Sequence, residues 1–180
     1  MDHGPVCEAV ILAAGGGRRM GGPKALLQVD GEPLLVQHVR AYESVGLRVT
    51  VVIGAEGERV RELLPRGARV VVNRDWARSD PAASAWLALE GLGDCLLSPV
   101  DLPPPSRETL VALLAANGDT VPSYQGRDGH PVRLAAPHRP GRLDERLREA
   151  ARVAVSDPNC VLNFNVPADL AAWRSVSRPA

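Results

Sequence analysis

Val10-Ile11-Leu12-Ala13-Ala14-Gly15-Gly16-Gly17-Arg18-Arg19-Met20-Gly21-Gly22-Pro23-Lys24 joins an apolar run directly to a glycine-rich loop that carries three cations. The apolar residues show too little alternation for a half-exposed strand, so they predict a strand buried on both faces of a parallel sheet. The glycines permit positive φ and let backbone N–H groups come close to an anion. Arg18, Arg19 and Lys24 add positive charge where those amides point. The stretch reads as a phosphate-binding turn at the end of a buried strand.

Two common phosphate loops do not fit it. In a Gly-x-Gly-x-x-Gly dinucleotide fingerprint begun at Gly15, Met20 would stand at the third glycine. The next strand, predicted at Val49 to Ile53, also has no acidic residue at its end to hold a ribose. A Walker A loop needs Lys directly after its second glycine, but Gly22 is followed by Pro23, and Ala25 stands where a magnesium-binding Ser or Thr belongs.

The loop resembles the Leu-Ala-Ala-Gly-x-x-x-Arg-Met-Gly-x-x-Lys opening of the MobA-like nucleotidyltransferases, which include the molybdenum cofactor cytidylyl- and guanylyltransferases. The matching residues are Leu12-Ala13-Ala14-Gly15, Arg19-Met20-Gly21 and Lys24. An ordered string of this length is far more specific than three glycines alone. The resemblance implies a three-layer αβα fold of the nucleotide-diphospho-sugar transferase type. Its sheet would be Rossmann-like and mostly parallel, with a small β-hairpin insertion.

Size and composition set the wider limits. A chain of 180 residues fits a single domain, expected here over 1–180, with an ordinary core. Lys plus Arg and Asp plus Glu balance at 21 each, so no global field favours nucleic acid or an acidic membrane. Six aromatic residues give no stacking platform for single strands. Cys7, Cys95 and Cys160 are odd in number and far apart, which predicts small buried thiols rather than disulfides or a thiolate metal site. Met1 to Pro5 has no leader character and no long apolar run follows, so a cytoplasmic protein is expected, with a loose tail from Ser177 to Ala180.

Along the chain, Ala25 to Val29 reads as a short extended piece before an Asp30-Gly31 turn. Pro33 opens a helix with Leu34, Leu35, Val39, Tyr42 and Val45 at helical spacing, ended by Gly46. A strand at Arg48 to Ile53, a helix at Glu58 to Leu64 and a strand at Ala68 to Val72 follow, implying right-handed parallel crossovers. Helix Ala82 to Glu90 is expected to bury Trp86 and Leu89. Ser106 caps a helix through Ala116, and the glycines of Val121 to Leu134 predict a hairpin turning between Gly126 and Gly129. Arg142 to Ala151 reads as an amphipathic helix whose Asp144, Glu145, Arg146 and Arg148 form a solvated face, before a strand at Arg152 to Val155. Pro167 and Asp169 suit the first turn of a last helix.

Further segments extend the resemblance and supply candidate site residues. Asn73-Arg74-Asp75-Trp76 is similar to an Asn-Pro-Asp-Trp segment of the cytidylyl branch, although Arg78 to Ser84 departs from the family's small-residue run. Asn73 and Ser84 are candidates for ribose or base contacts, while Ser79 or Asp80 equally suits a helix cap. Asp101, in Ser98-Pro99-Val100-Asp101-Leu102-Pro103, stands where the family's metal-binding aspartate lies, and one carboxylate with phosphates and water suffices to begin a Mg²⁺ site. Gly126 to Pro131 resembles a Gly-x-x-Gly-His-Pro segment near the acceptor substrate. His130 either donates to a phosphate or anchors that turn. Asn163-Phe164-Asn165-Val166-Pro167-Ala168-Asp169-Leu170 resembles the family's closing pattern, which implies metal contacts from Asn163 and Asn165.

Taken together, the resemblance implies Mg²⁺-dependent transfer of a nucleotidyl group, with Arg19, Lys24 and Asp101 catalytic. Leu12, Ala13, Ala14, Gly15, Gly16, Gly17 and Arg18 would hold the nucleotide. Leu-Ala-Ala-Gly and Gly-His-Pro point to CTP, whereas the two asparagines look like the guanylyl version. The acceptor would be a phosphorylated small molecule such as the molybdenum cofactor pterin, with handover to a molybdoenzyme or its chaperone. Open alternatives are a guanylyltransferase, a sugar-phosphate nucleotidyltransferase, and a non-catalytic accessory protein that binds nucleotide and passes the cofactor on.

Overall fold

The computed structural model describes residues 8–177. Met1 to Pro5 and Cys7 lie outside them, as do the last three residues of the tail. The strand expected ahead of the glycine loop is β1 (Glu8–Ala13), which pairs in parallel with β4 (Arg48–Ile53) on one side and β6 (Cys95–Pro99) on the other. Two short strands, β2 (Gln28–Val29) and β3 (Glu32–Pro33), form a separate antiparallel ribbon. Beyond β4 lies β5 (Arg69–Val72), and the other half of the sheet comprises β7 (Thr120–Tyr124), β8 (Arg127–Asp128), β9 (Val132–Leu134) and β10 (Ala151–Ala154). The order across the sheet is β10-β7-β9-β6-β1-β4-β5, with β8 attached to β7. β9 runs antiparallel to β6 and β7, and β8 antiparallel to β7.

The burial of β1 on both faces follows from what each face packs against. Ala9, Ile11 and Ala13 join a core with α1 (Leu34–Glu43), α2 (Gly57–Glu62), α4 (Arg107–Ala115) and α6 (Pro167–Ser177). Val10 and Ala14 join a second core with α3 (Pro81–Leu89), on which Leu143 and Leu147 of α5 (Leu143–Arg148) also pack. Successive side chains of a strand point to opposite faces, so an apolar residue at every position is what two helical layers require. The result is a three-layer αβα arrangement with a mostly parallel sheet and a small hairpin.

Several local expectations are corrected. Lys24–Leu26 is a 3-10 turn, and only Gln28 and Val29 of the predicted extended piece are strand. The hairpin turns at Gln125-Gly126, because Tyr124 pairs with Arg127 and both turn residues adopt positive φ. α5 ends at Arg148, since Ala151 already belongs to β10. Arg146 is no solvated charge: it donates to both Asp119 carboxylate oxygens and to the Ala135 carbonyl. Trp86 is half-buried rather than core, with its indole N–H on the Gly141 carbonyl. The loose tail does not begin at Ser177, which is still in α6. Cys95 and Cys160 are free and buried, and burial pushes their thiols up to about 12 and about 11.

The site is positioned by the order of crossing. The chain steps from β1 to β4 and β5, then returns to place β6 on the opposite side of β1. Because β1, β4, β5 and β6 are parallel, the loops that follow them all emerge at one edge. Such a reversal of strand order opens a crevice between the loops of the two central strands, here β1 and β6.

Candidate active site

A cleft of about 350 Å³ opens at that edge, and its walls are the glycine loop after β1, the turn after β6, the segment 76–84 and Asn165. The glycine loop has a defined shape. Gly17 sits at φ +55°, and its carbonyl accepts from the Met20 and Gly22 amides at 2.8 and 3.3 Å. A Cβ on Gly17 would lie 1.9 Å from the Gly22 carbonyl oxygen, so both backbone conformation and close approach demand glycine there. Among the described residues, no group accepts from the N–H of Gly15, Gly16 or Gly17. These donors sit beside Arg18 and Arg19, which are exposed and make no ion pair among the described residues. Unsatisfied amides and unpaired cations together make a site for phosphate.

Lys24 and Asp101 meet in this cleft. Lys24 Nζ donates to Asp101 Oδ2 at 2.9 Å and to Asn165 Oδ1 at 3.3 Å, and the Lys24 and Asp101 side chains are 16% and 29% exposed. The turn that carries Asp101 is tied to both neighbours. Val100 N–H donates to the Leu12 carbonyl at 3.0 Å, and Phe164 N–H donates to the Asp101 carbonyl at 2.6 Å. The second bond brings the closing segment, and with it Asn165, to the cleft. Asp169 then accepts from the Asn165 and Val166 amides, and those bonds, Val166 first, hold its carboxyl below the usual range.

The remaining sequence candidates divide. Leu12, Ala14, Gly15, Gly17, Arg18, Arg19 and Ser84 line the cleft, whereas Ala13, Gly16, Asn73, His130 and Asn163 are absent from its walls. Asn73 is buried and donates to Ser79 Oγ and Ser84 Oγ, both at 2.8 Å, while its own oxygen accepts from Asp75 N–H. That network engages both polar atoms of the Asn73 amide in shaping the loop beside the cleft. Asp80 is the cap of α3, accepting from Ala83 N–H at 2.7 Å, and it also faces the cleft. Asn163 is exposed and is not among the residues lining the cleft. The His130 backbone N–H donates to the Cys160 carbonyl at 2.8 Å, while its side-chain Nδ1 is buried with no partner among the described residues. Burial holds its imidazole below the usual value, with Asp101 pulling the other way.

Two contributors escaped the sequence reading of the site. Trp76 packs against the glycine loop so closely that a Cβ on Gly16 would lie 3.0 Å from its ring, and one on Gly54 would lie 2.6 Å from its Cβ. Its position in an aromatic-poor chain, just after the third long strand, was an available signal. His38, fully buried, donates from Nε2 to the Leu102 carbonyl at 2.8 Å. A histidine among Leu34, Leu35, Val39 and Tyr42 on an apolar helix face was the sign of it.

For a divalent cation the cleft offers Asp101 and Asn165 oxygens, and the described residues hold no group of three His, Cys, Asp or Glu. That donor set fits a hard cation completing its shell with substrate phosphates and water, as Mg²⁺ does. The ammonium of Lys24 resting between the same two oxygens confirms that the spot suits a positive charge.

Comparison with known proteins places this architecture. Residues 9–158 match the family described as the MobA-like NTP transferase domain. The chain belongs to that family. A molybdenum cofactor guanylyltransferase of Cereibacter sphaeroides is 32% identical, the match covering 94% of this chain and 96% of the relative. Nicotine blue oxidoreductase of Paenarthrobacter nicotinovorans is 33% identical over 77% of this chain, which spans 60% of that relative's length. Among solved structures, a nucleotidyl transferase from Methanothermobacter thermautotroptrophicus superposes with a TM-score of 0.77 at 27% identity, covering 96% of this chain and 98% of the other. The matched residues span the glycine loop, the Asp101 turn and the sheet between them. No helix among the described residues is long and apolar enough to cross a membrane.

Proposed function

We propose that this MobA-like protein transfers a nucleotidyl group from a nucleoside triphosphate to the phosphate of a small acceptor and releases pyrophosphate. The observation that carries the reading is the convergence of Lys24, Asp101 and the free amides of Gly15 and Gly17 on one cleft. Two anions must be brought together in this reaction, so charge neutralisation and positioning matter more than a protein nucleophile.

The division of labour follows from reach. The Gly15, Gly16 and Gly17 amides would cradle phosphate oxygens, and Arg18 and Arg19 at the cleft mouth would bind the outer phosphates and offset departing pyrophosphate. Lys24 would turn from Asp101 toward the α-phosphate, replacing one anionic partner by another. Asp101, helped by Asn165, would hold Mg²⁺, which when bound supplies Lewis-acid stabilisation of charge on the phosphates. Trp76 and the Asn73 network keep the loop walls in shape.

CTP is the proposed donor: Ala14 is among the residues lining the cleft, and a methyl there would narrow the space beside the base relative to glycine. A phosphorylated pterin, the molybdenum cofactor, is the proposed acceptor, with transfer of the product to a molybdoenzyme or its chaperone. The curated relatives named for molybdenum cofactor chemistry are guanylyltransferases, so GTP is the rival donor. Pyrophosphate release scored side by side with CTP and GTP, Mg²⁺ and phosphorylated acceptors decides between them. Faster release with GTP defeats the cytidylyl reading, and binding without release defeats the enzyme reading.

A further inference from the structure

Resting on the transferase reading, we infer that His38 is a positioning residue: by donating to the Leu102 carbonyl it fixes the turn that presents Asp101 to the cleft. His38 lies in the middle of α1 with no exposed surface, and its Nε2 is 2.8 Å from the Leu102 oxygen. Leu102 is itself fully buried, so water does not serve its carbonyl.

The reason a side chain is needed lies in the sequence after Asp101. Pro103, Pro104 and Pro105 follow Leu102 without a break. A carbonyl at a turn is usually satisfied by the N–H three residues on, but residue 105 is a proline and has none. The next amide along, Ser106 N–H, is already donated to Asp157 Oδ2 at 2.9 Å. The three prolines and Ser106 therefore leave no amide for the Leu102 carbonyl, and a buried carbonyl left unpaired is costly. α1 supplies the donor across 64 residues of chain.

His38 thereby joins two backbone fasteners on the same turn. Val100 N–H on Leu12 ties it to β1, and Phe164 N–H on the Asp101 carbonyl ties it to the segment carrying Asn165. Backbone bonds to β1 and to the closing segment set the two sides, and His38 sets the depth. Outer partners of this type orient a metal-binding or charge-binding group without touching substrate.

The ring must be neutral with its proton on Nε2 to do this. Burial pushes the imidazole down to about 4, against the raising effects of the Leu102 carbonyl and Asp101. Nδ1 has no partner among the described residues, so a proton there would strand a donor and leave two acceptors face to face.

Glutamine and asparagine separate the donor from the ring. The Gln amide nitrogen lies at the ε position and reaches Leu102; the Asn amide ends one carbon short. In protein labelled with ¹³C at the Asp carboxyl, with the Asp101 resonance assigned from Asp101→Asn, His38→Gln should superpose on the parent and His38→Asn should shift. With a non-hydrolysable CTP analogue present, Mn²⁺ affinity should be retained in His38→Gln and fall about 10- to 100-fold in His38→Asn. Affinity for the analogue in EDTA should be equal in all three, which a general loss of structure would not allow. Parent-like behaviour of His38→Asn, or equal impairment of His38→Gln, overturns the proposal. Should His38→Asn fail to fold, the Asp101 resonance of His38→Gln decides alone: unshifted supports it, shifted refutes it. Absence of pyrophosphate release from the parent protein would defeat the transferase reading while leaving the carboxyl resonance to judge His38.

Discussion

Lys24 Nζ lies 2.9 Å from Asp101 Oδ2, although 77 residues separate them in the chain. One comes from the turn after β1 and the other from the turn after β6, and the two strands are parallel neighbours. The pair is half-sheltered rather than buried, so its ammonium can exchange one anion for another without a large desolvation cost.

Replacing Lys24 by Met removes the cation proposed to meet the α-phosphate and leaves its methylene packing largely intact. Pyrophosphate release should fall on the order of 10²-fold or more, as for other single charge-stabilising contacts. Steady-state release with saturating nucleotide checks this. Normal turnover in the variant rules out the mechanism.

In the proposed site Asn165 would offer the bound cation a neutral amide oxygen, the one that now accepts from Lys24. Asn165→Asp adds a formal charge within reach of the same cation position, so Mn²⁺ affinity in the presence of nucleotide should rise, by about tenfold, since affinity follows ligand charge. Titration followed by electron paramagnetic resonance measures it. An unchanged or weaker affinity would show that residue 165 does not face the bound cation.

Gly15 and Gly17 look alike in sequence but are predicted to respond differently to alanine. A Cβ on Gly15 meets nothing within 4 Å, whereas one on Gly17 collides with the Gly22 carbonyl and forces a left-handed alanine. Left-handed backbone alone costs an L-residue about 1–2 kcal/mol. Gly17→Ala should therefore lower the melting temperature by about 2–8 °C in a chain of this size, and Gly15→Ala should leave it near the parent value. Thermal unfolding followed by circular dichroism tests the contrast.

His38 also predicts a pH dependence of stability. Its imidazole falls from 6.5 to about 4 on folding because burial disfavours the charged ring. Between those values the unfolded chain binds the proton and the folded one does not, so stability is lost as pH falls from 6.5 toward 4, by about 3 kcal/mol in all. His38→Gln cannot titrate and lacks this loss. Urea unfolding at pH 7, 5.5 and 4.5 should show the parent losing ground to the variant at each step. A constant difference across that range would mean the ring does not titrate in this way.

The sequence predicted some features well because their cause is local. A run of apolar residues at every position predicted β1 buried on both faces, and Ser106, Asp30-Gly31 and Pro167 marked a cap, a turn and a helix start that the structure contains. Asn73 illustrates the opposite case. Its place after β5 suggested ligand contact, yet its oxygen and nitrogen are consumed by Asp75, Ser79 and Ser84. Hydrogen-bond competition within a loop is invisible until the loop's path is known. Arg146 is the same case: its partner Asp119 lies 27 residues away, in the loop before β7.

By itself the sequence determined the chemistry available: glycines able to expose their amides, three cations in one loop, and one aspartate at the end of an apolar run. Those properties belong to individual residues and survive any fold. The tertiary structure alone decided that β6 returns to the far side of β1, and hence that Lys24, Asp101 and Asn165 share a cleft while Asn163 and His130 stand outside its walls. It also decided that a histidine on α1 completes the Asp101 turn. The physical reason is that strand order and helix packing are settled by burying two apolar faces over the whole chain, a collective choice that no short stretch of residues can express.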